Sequence, residues 1–341
     1  MASRPVGGDA VTSDAGSARR RLASPVALAV LGAVVAVAVV ARFATVSGGF
    51  AWPDSAIVME IRGLRIASTV IIGAALAVAG ALLQGILRNP LASPFLLGMT
   101  SGAGLGIVAA TYAAYLATGH IVQHRAPILP AMIGAGAALA IVYALGHRRG
   151  ALEPTRLILM GLILSLLCGA VTSLLQHMLP DRGMAIYTRW VMGSISEETS
   201  WTTVGIVGAI TAVGIAWAIA LGRPLDAASL SDDEAATVGV RMQWLRVRAL
   251  VIAGVLTGGT VVLAGPIGFI GLLCPHMVRL IAGHRSGVVI AGSALAGAAL
   301  MVVSDIAVSM PSLASGRIPI GVVTTLVGAP VFIMLAWRTR L

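Results

Sequence analysis

Residues 223–248 read RPLDAASLSDDEAATVGVRMQWLRVR, and they are where an otherwise apolar chain turns polar. Asp226, Asp232, Asp233 and Glu234 fall within nine positions, out of 13 acidic residues in the whole chain. Ser231 followed three residues later by Glu234 is the pattern of a capping box. Asp232 and Asp233 place negative charge on the positive end of the same helix. The helix should run through Ala235, Ala236 and Val238 and stop at Gly239, where a left-handed residue is tolerated. A short capped helix of this kind, held between two membrane spans, is a handle for something outside the bilayer.

The flanking sequence supplies the membrane. Hydrophobic residues make up 58% of the 341 positions and charged residues 11%, about half the charge of a soluble domain or less. The chain reads as an all-α polytopic membrane protein. Apolar runs fall at 25–46, 66–87, 95–118, 127–146, 156–179, 201–221, 249–265, 268–283, 287–310 and 318–337, giving about ten transmembrane helices. GPIGFIG at 265–271 reads as a turn or a re-entrant break. Residues 1–24 form an expected disordered cytoplasmic tail ending in a run of arginines. Residues 25–341 form one membrane domain, with 222–248 as a cytoplasmic loop.

All 23 basic residues are Arg. Without Lys the chain lacks a Walker A phosphate loop and lysine Schiff-base chemistry. With both termini inside, 16 arginines fall on the cytoplasmic side and 7 outside, the bias expected of membrane topology. The net charge of +10 therefore follows topology and does not point to nucleic acid. Gly73, Ala77 and Ala81 share a helix face, as do Gly102 with Gly106 and Gly254 with Gly258, which suits close helix packing.

The polar candidates within the spans are few. Asp305 is the one acid deep in a run, and it reads either as a structural partner of a neighbour or as a proton relay. His276 reads as a hydrogen-bonding helix residue, and Arg88-Asn89-Pro90 as a helix stop. Cys168 and Cys274 lie in apolar runs and read as packing residues. No catalytic constellation or metal-ligand set occurs, and a coupling handle favours externally driven passage over catalysis.

Five stretches then carry a resemblance. They are GAALAVAGALLQGILRNPLASPFLLGMTSGAGLG (73–106), WVMGS (190–194), LSDDEAATVGV (230–240), GPIGFIGLLCPHMVRLIAGH (265–284) and IPIGVVTTLVGAPVFIML (318–335). In this order they resemble the permease subunits of iron-siderophore, haem and cobalamin ABC importers. The resemblance implies ten spans per subunit and a second permease copy or paralogue. It also implies a cytoplasmic ATPase dimer holding ATP and Mg, with no cofactor bound by this chain. An extracytoplasmic substrate-binding lipoprotein or periplasmic protein would deliver the cargo. By that likeness Ser231, Asp232, Asp233, Glu234, Ala235, Ala236, Val238, Gly239 and Val240 form the ATPase-coupling helix, and Arg62 and Arg65 dock the binding protein. The translocation path would follow the fifth and tenth spans, including Leu157, Met160, Ser165, Thr324 and Thr325.

The chain departs from the family at Leu64, where Pro is common, and at Arg317, where Glu is usual. A ferric-siderophore-type chelate is the expected substrate, with cobalamin or haem as the alternative inside the family. Outside it, the competing reading is an ion-coupled secondary transporter using Asp305.

Overall fold

The computed structural model describes residues 24–46, 48–120, 128–148, 151–180, 187, 190–195, 199–310 and 318–339. The expected N-terminal tail and Arg317 lie outside the described residues. Among those described there are twelve α-helices. The long ones are α1 (Ser24–Ala44), α2 (Ala56–Leu87), α3 (Met99–Thr118), α4 (Ile128–Leu145), α5 (Pro154–His177) and α6 (Trp201–Ala220). After two short helices, α7 (Gly222–Ala227) and α8 (Asp232–Thr237), come α9 (Met242–Ala264), α10 (Ile270–Ala282), α11 (Ser286–Ser309) and α12 (Ile320–Thr339). Helices α1, α2, α5, α6, α9 and α11 are long and apolar enough to cross a membrane, and Leu129–Leu145, Ile270–Ala282 and Ile320–Met334 are shorter apolar helices.

Helix α2 is the hub, packing against α11, α9, α10 and α6. A second group forms where α3 packs on α4 and α5, while α1 lies against α11. The sequence reading started the second span at residue 66, but the helix begins ten residues earlier, at Ala56, capped by Ser55 accepting from the Val58 amide. The reason lies in its charge pattern. Glu60, Arg62 and Arg65 sit on a helical extension ahead of the apolar stretch, and the residues from Ile66 to Leu87 carry no charge. At about 1.5 Å per residue those apolar turns are roughly 33 Å long, the thickness of a bilayer core. Arg88 then ends the helix in a left-handed conformation, with φ 48°.

Small residues set how closely the helices approach. A Cβ placed on Gly73 would collide with the backbone of Gly297, and one on Gly297 with that of Gly73. Gly102 stands in the same relation to Gly134, while a Cβ on Gly80 would collide with the backbone of Gly271 and one on Gly271 with the Leu76 carbonyl. These are backbone-to-backbone contacts between α2 and α11, α2 and α10, and α3 and α4. They are what lipid-embedded helices use where the hydrophobic effect supplies no association. Gly254 faces Leu139, whereas a Cβ on Gly258 would meet open space among the described residues.

The ambiguous 249–283 region resolves as a turn. Helix α9 stops at Gly265 (φ 68°), Phe269 also takes a positive φ of 66°, and α10 begins one residue later. A non-glycine residue in this region is strained, and here the surroundings hold it. Gly193 packs against the Pro266 carbonyl, and the Gly321 amide donates to the Gly193 carbonyl at 3.0 Å, so the WVMGS segment, this turn and the start of α12 meet backbone to backbone.

Candidate coupling site

The polar stretch folds as its sequence dictates. Ser231 Oγ accepts from the Glu234 amide at 3.2 Å, and Glu234 Oε2 accepts from the Ser231 amide at 2.9 Å, completing the capping box. The bonds from the Ser231 backbone amide and hydroxyl hold the Glu234 carboxyl below the usual carboxylate range. At the other end the Val240 amide reaches the Ala235 carbonyl and the Gly239 amide the Ala236 carbonyl, both at 3.0 Å. With Gly239 at φ 82° this is a complete Schellman stop. Six helical residues are thus fixed at both ends by their own side chains and backbone.

One face of α8 is anchored and the other is offered outward. Ala235 is fully buried, while Asp233, Ala236, Val238 and Gly239 are exposed and Val240 is half-buried. Leu230 and Val238 are large apolar groups left facing out, at 42% and 62% exposure. The short helix therefore presents a small apolar surface with acidic groups beside it.

Two basic residues that the sequence reading did not connect to the helix tie it to the bundle. Arg88, the last residue of the α2 turn, donates Nε to the Ala228 carbonyl at 2.7 Å and Nη2 to Asp232 at 2.8 Å. Arg246, one turn into α9, donates to the same carboxylate at 3.0 Å and to the Leu152 carbonyl at 3.2 Å. Asp232 is thus more than a charge on the helix dipole. It joins α8 to α2 and α9. Behind it, Asp226 accepts from the Ser286 amide at 2.7 Å and so caps the first turn of α11. The coupling stretch is bonded to α2, α9 and α11 at once.

At the opposite end of α2 lies a second charged cluster. Asp305 has no exposed surface and takes Arg42 Nε at 2.5 Å and Arg65 Nη2 at 2.7 Å. Arg62 donates Nη1 to the carbonyls of Phe43 and Ala51 at 2.6 and 2.8 Å. Asp305 is a shared anion for the Arg42 and Arg65 guanidiniums, the kind of neighbour pairing that the structural reading expects. The side chain of Arg65, expected to dock a binding protein, is 10% exposed and bonded to Asp305. Arg62 holds the α1–α2 connection in this conformation.

The path candidates divide. Leu157 (0% exposed) and Thr324 (3%) pack inside the subunit, Thr324 donating to the Gly321 carbonyl. Met160 and Ser165 are half-buried and Thr325 is exposed. The exposed faces of α5 and α12 carry instead Leu162, Ile163, Leu166, Leu326, Val327 and Ile333. On those helices Ser165, Thr324 and Thr325 all turn their hydroxyls back to their own backbone.

The two cysteines are free and buried. No group of metal-ligating side chains occurs among the described residues.

Residues 21–338 match the FecCD transport family. The hemin transport system permease protein HmuU of Yersinia pestis is 33% identical over 282 residues, 83% of each chain. The Fe(3+)-citrate import system permease protein YfmD of Bacillus subtilis is 33% identical over 297 residues, 85% of each chain. The vitamin B12 import system permease protein BtuC of Vibrio cholerae is 34% identical over 287 residues, 84% of each chain. A solved structure described as an inward-facing metal-chelate type ABC transporter superposes with a TM-score of 0.81 at 28% identity, covering 93% of this chain and all of that one.

Proposed function

The chain belongs to the FecCD transport family and is a multi-pass permease subunit of an ABC importer, with ATP hydrolysis in a separate subunit; from that premise we propose that α8 is the point at which the ATPase drives it. The observation that carries this reading is the Asp232 bridge. A push on the exposed Leu230, Asp233 and Val238 surface is transmitted through Asp232 to Arg88 and Arg246, and so to α2 and α9. The capping box and the Schellman stop make the helix stiff enough to pass on a displacement.

Ten spans with both termini in the cytoplasm complete the proposed topology, α4, α10 and α12 being the members with the shorter apolar runs. Two permease copies, or this chain and a paralogue, would enclose the path along the exposed apolar faces of α5 and α12. An extracytoplasmic binding protein delivers the cargo to the end of the subunit that carries Arg62.

A ferric chelate of the siderophore type is the substrate we propose. The metal-chelate description of the structural relative and the iron-citrate relative support it. Haem and cobalamin relatives match to the same degree and define the other outcomes of the test. The test is uptake into proteoliposomes holding the permease, its ATPase and its binding protein, with radiolabelled ferric chelate, haemin or cyanocobalamin. Uptake of the ferric chelate should need ATP inside and be abolished by Glu234→Pro. Transport that persists without the ATPase and collapses with a protonophore would replace this reading with an ion-coupled one.

A further inference from the structure

On the coupling-helix side of the bundle, the end of α2, the α7 segment, α10 and the start of α11 enclose a cavity of about 550 Å³. Its walls carry Arg88, His276, Arg279 and His284, and no acid stands among the described residues lining it. Arg88 is balanced by Asp232. Arg279 is not. Its Nη1 donates to the neutral Gln84 Oε1 at 2.5 Å, and no carboxylate pairs with it among the described residues. One turn earlier on the same face, His276 is 7% exposed, and its Nε2 is buried with no hydrogen-bond partner. A half-buried guanidinium without a counter-charge and a buried imidazole nitrogen without a partner are both costly. Both costs are relieved by one anion placed between them, with His276 donating as the Nε2–H tautomer.

The position of the cavity selects the source of that anion. It lies level with Arg88, where the uncharged length of α2 ends, which is the headgroup depth of a bilayer spanned by that helix. Beside the basic groups α10 exposes Met277 and Leu280, and Leu280 itself lines the cavity. Apolar surface thus continues from the basic pocket onto the outside of the helix, as an acyl chain attached to the anion requires. Basic pockets between membrane helices on this side are suited to phosphate headgroups.

We propose that this cavity binds the phosphate headgroup of an anionic lipid from the cytoplasmic leaflet, held by Arg279 and His276. The proposal rests on the coupling-helix reading only for which leaflet supplies the lipid. A lipid held there stands against Arg88 and so stiffens the clamp on α8.

The experiment is native mass spectrometry of the full-length permease purified with phosphatidylglycerol or phosphatidylcholine, beside Arg279→Gln and His276→Gln. His276→Gln keeps the Gln84–Arg279 bond, so it remains informative should Arg279→Gln fail to fold. Wild type should retain phosphatidylglycerol in preference to phosphatidylcholine, Arg279→Gln should weaken that retention roughly fivefold, the share of one basic group, and His276→Gln should weaken it by a smaller factor, that of one displaced neutral donor. Equal retention of the two lipids, or unaltered retention in both variants, overturns the proposal. Inorganic phosphate at millimolar concentration raising the melting temperature and displacing the lipid would assign the site to soluble phosphate and overturn the lipid source. Loss of ATPase co-purification in the variants with lipid retention unchanged would assign it to a protein carboxylate, overturning it equally. Failure of the coupling reading would appear separately, as wild-type uptake in Glu234→Pro with lipid retention untouched.

Discussion

Replacing Asp305 by Asn is the most direct test of what holds the Arg42–Asp305–Arg65 end of this bundle. The substitution preserves shape and removes one charge. It leaves the Arg42 and Arg65 side chains, 4% and 10% exposed, without an anion. Breaking a buried pair by deleting one partner costs about 3–5 kcal/mol, because the remaining charge stays desolvated. Two features pull the value toward the lower limit. The Asn carbonyl still accepts from one guanidinium, and a cavity of about 330 Å³ lined by Arg42, Arg62 and Arg65 brings solvent near them. At about 2–4 °C per kcal/mol, the purified protein should melt roughly 10 °C lower in detergent. Arg42→Met is the control. It leaves Arg65 bonded to both Asp305 oxygens, at 2.7 and 3.1 Å among its contacts, and should cost only about 1–3 kcal/mol for the charged hydrogen bond lost. The assay is thermal unfolding followed by tryptophan fluorescence. If Asp305→Asn melts no lower than Arg42→Met, the shared-anion argument is wrong. If it melts normally yet abolishes uptake, Asp305 acts in transport itself.

Gly80→Ala should sharply reduce folded protein in the membrane, since its Cβ meets the Gly271 backbone, whereas Gly136→Ala, with open space around it, should be neutral; fluorescence-detected size exclusion compares them. Ser231→Ala removes the acceptor for the Glu234 amide and should weaken the helix end by about 1 kcal/mol, speeding exchange of that amide roughly fivefold in hydrogen-exchange mass spectrometry. Because the folded Glu234 carboxyl is held low, its contribution is present above the ordinary carboxylate range near pH ~4.3 and is lost as pH falls through the lowered value. Protection of residues 231–240 should therefore hold down to pH 5 and drop in stronger acid; protection that falls between pH 7 and 5 would contradict the capping box. Arg88→Ala should leave the melting temperature within about 1 kcal/mol equivalents of wild type, as an exposed pair does, yet reduce uptake per ATP hydrolysed in proteoliposomes.

Local features were legible in the sequence because they are written in adjacent residues. The capping box at Ser231 and Glu234, the Gly239 stop and the helix end at Arg88 all depend on contacts within five positions. The glycine faces at Gly73 and Gly102 were readable as packing surfaces, though their partners Gly297 and Gly134 were not. What escaped were contacts between distant positions. Asp305 and Arg42 are 263 residues apart, and Arg88 and Asp232 are 144 apart. No periodicity records such pairs. The bonds that Arg62 and Arg65 make inside the chain were not readable either, because a guanidinium reads the same in sequence whether it faces a partner protein or its own bundle. The hydroxyls at Ser165, Thr324 and Thr325 are ambiguous in sequence for a related reason. A hydroxyl in a membrane helix meets its own carbonyl four residues back at little cost, so its presence marks neither a path nor an interface.

The two charged clusters acquire a joint meaning through α2. Arg65 begins its apolar length and Arg88 ends it, 23 residues or roughly 35 Å apart along one uninterrupted helix. At one end α2 is fixed to α1 and α11 through Asp305, and at the other it is fixed to α8 through Asp232. Between them Gly73 and Gly80 let it touch α11 and α10 backbone to backbone, leaving little freedom to bend. A helix so held moves as a rod. A displacement of a few ångströms at α8 must therefore appear at the Arg42–Asp305–Arg65 cluster or be absorbed by sliding along the glycine contacts. The cluster's strength discriminates these cases, because ionic bonds through one carboxylate with no exposed surface resist separation more than glycine faces resist sliding. On the proposed coupling the Asp305 end would be the fulcrum and the Arg88 end the arm, and weakening Asp305 should then loosen the fold whereas weakening Arg88 should loosen only the coupling.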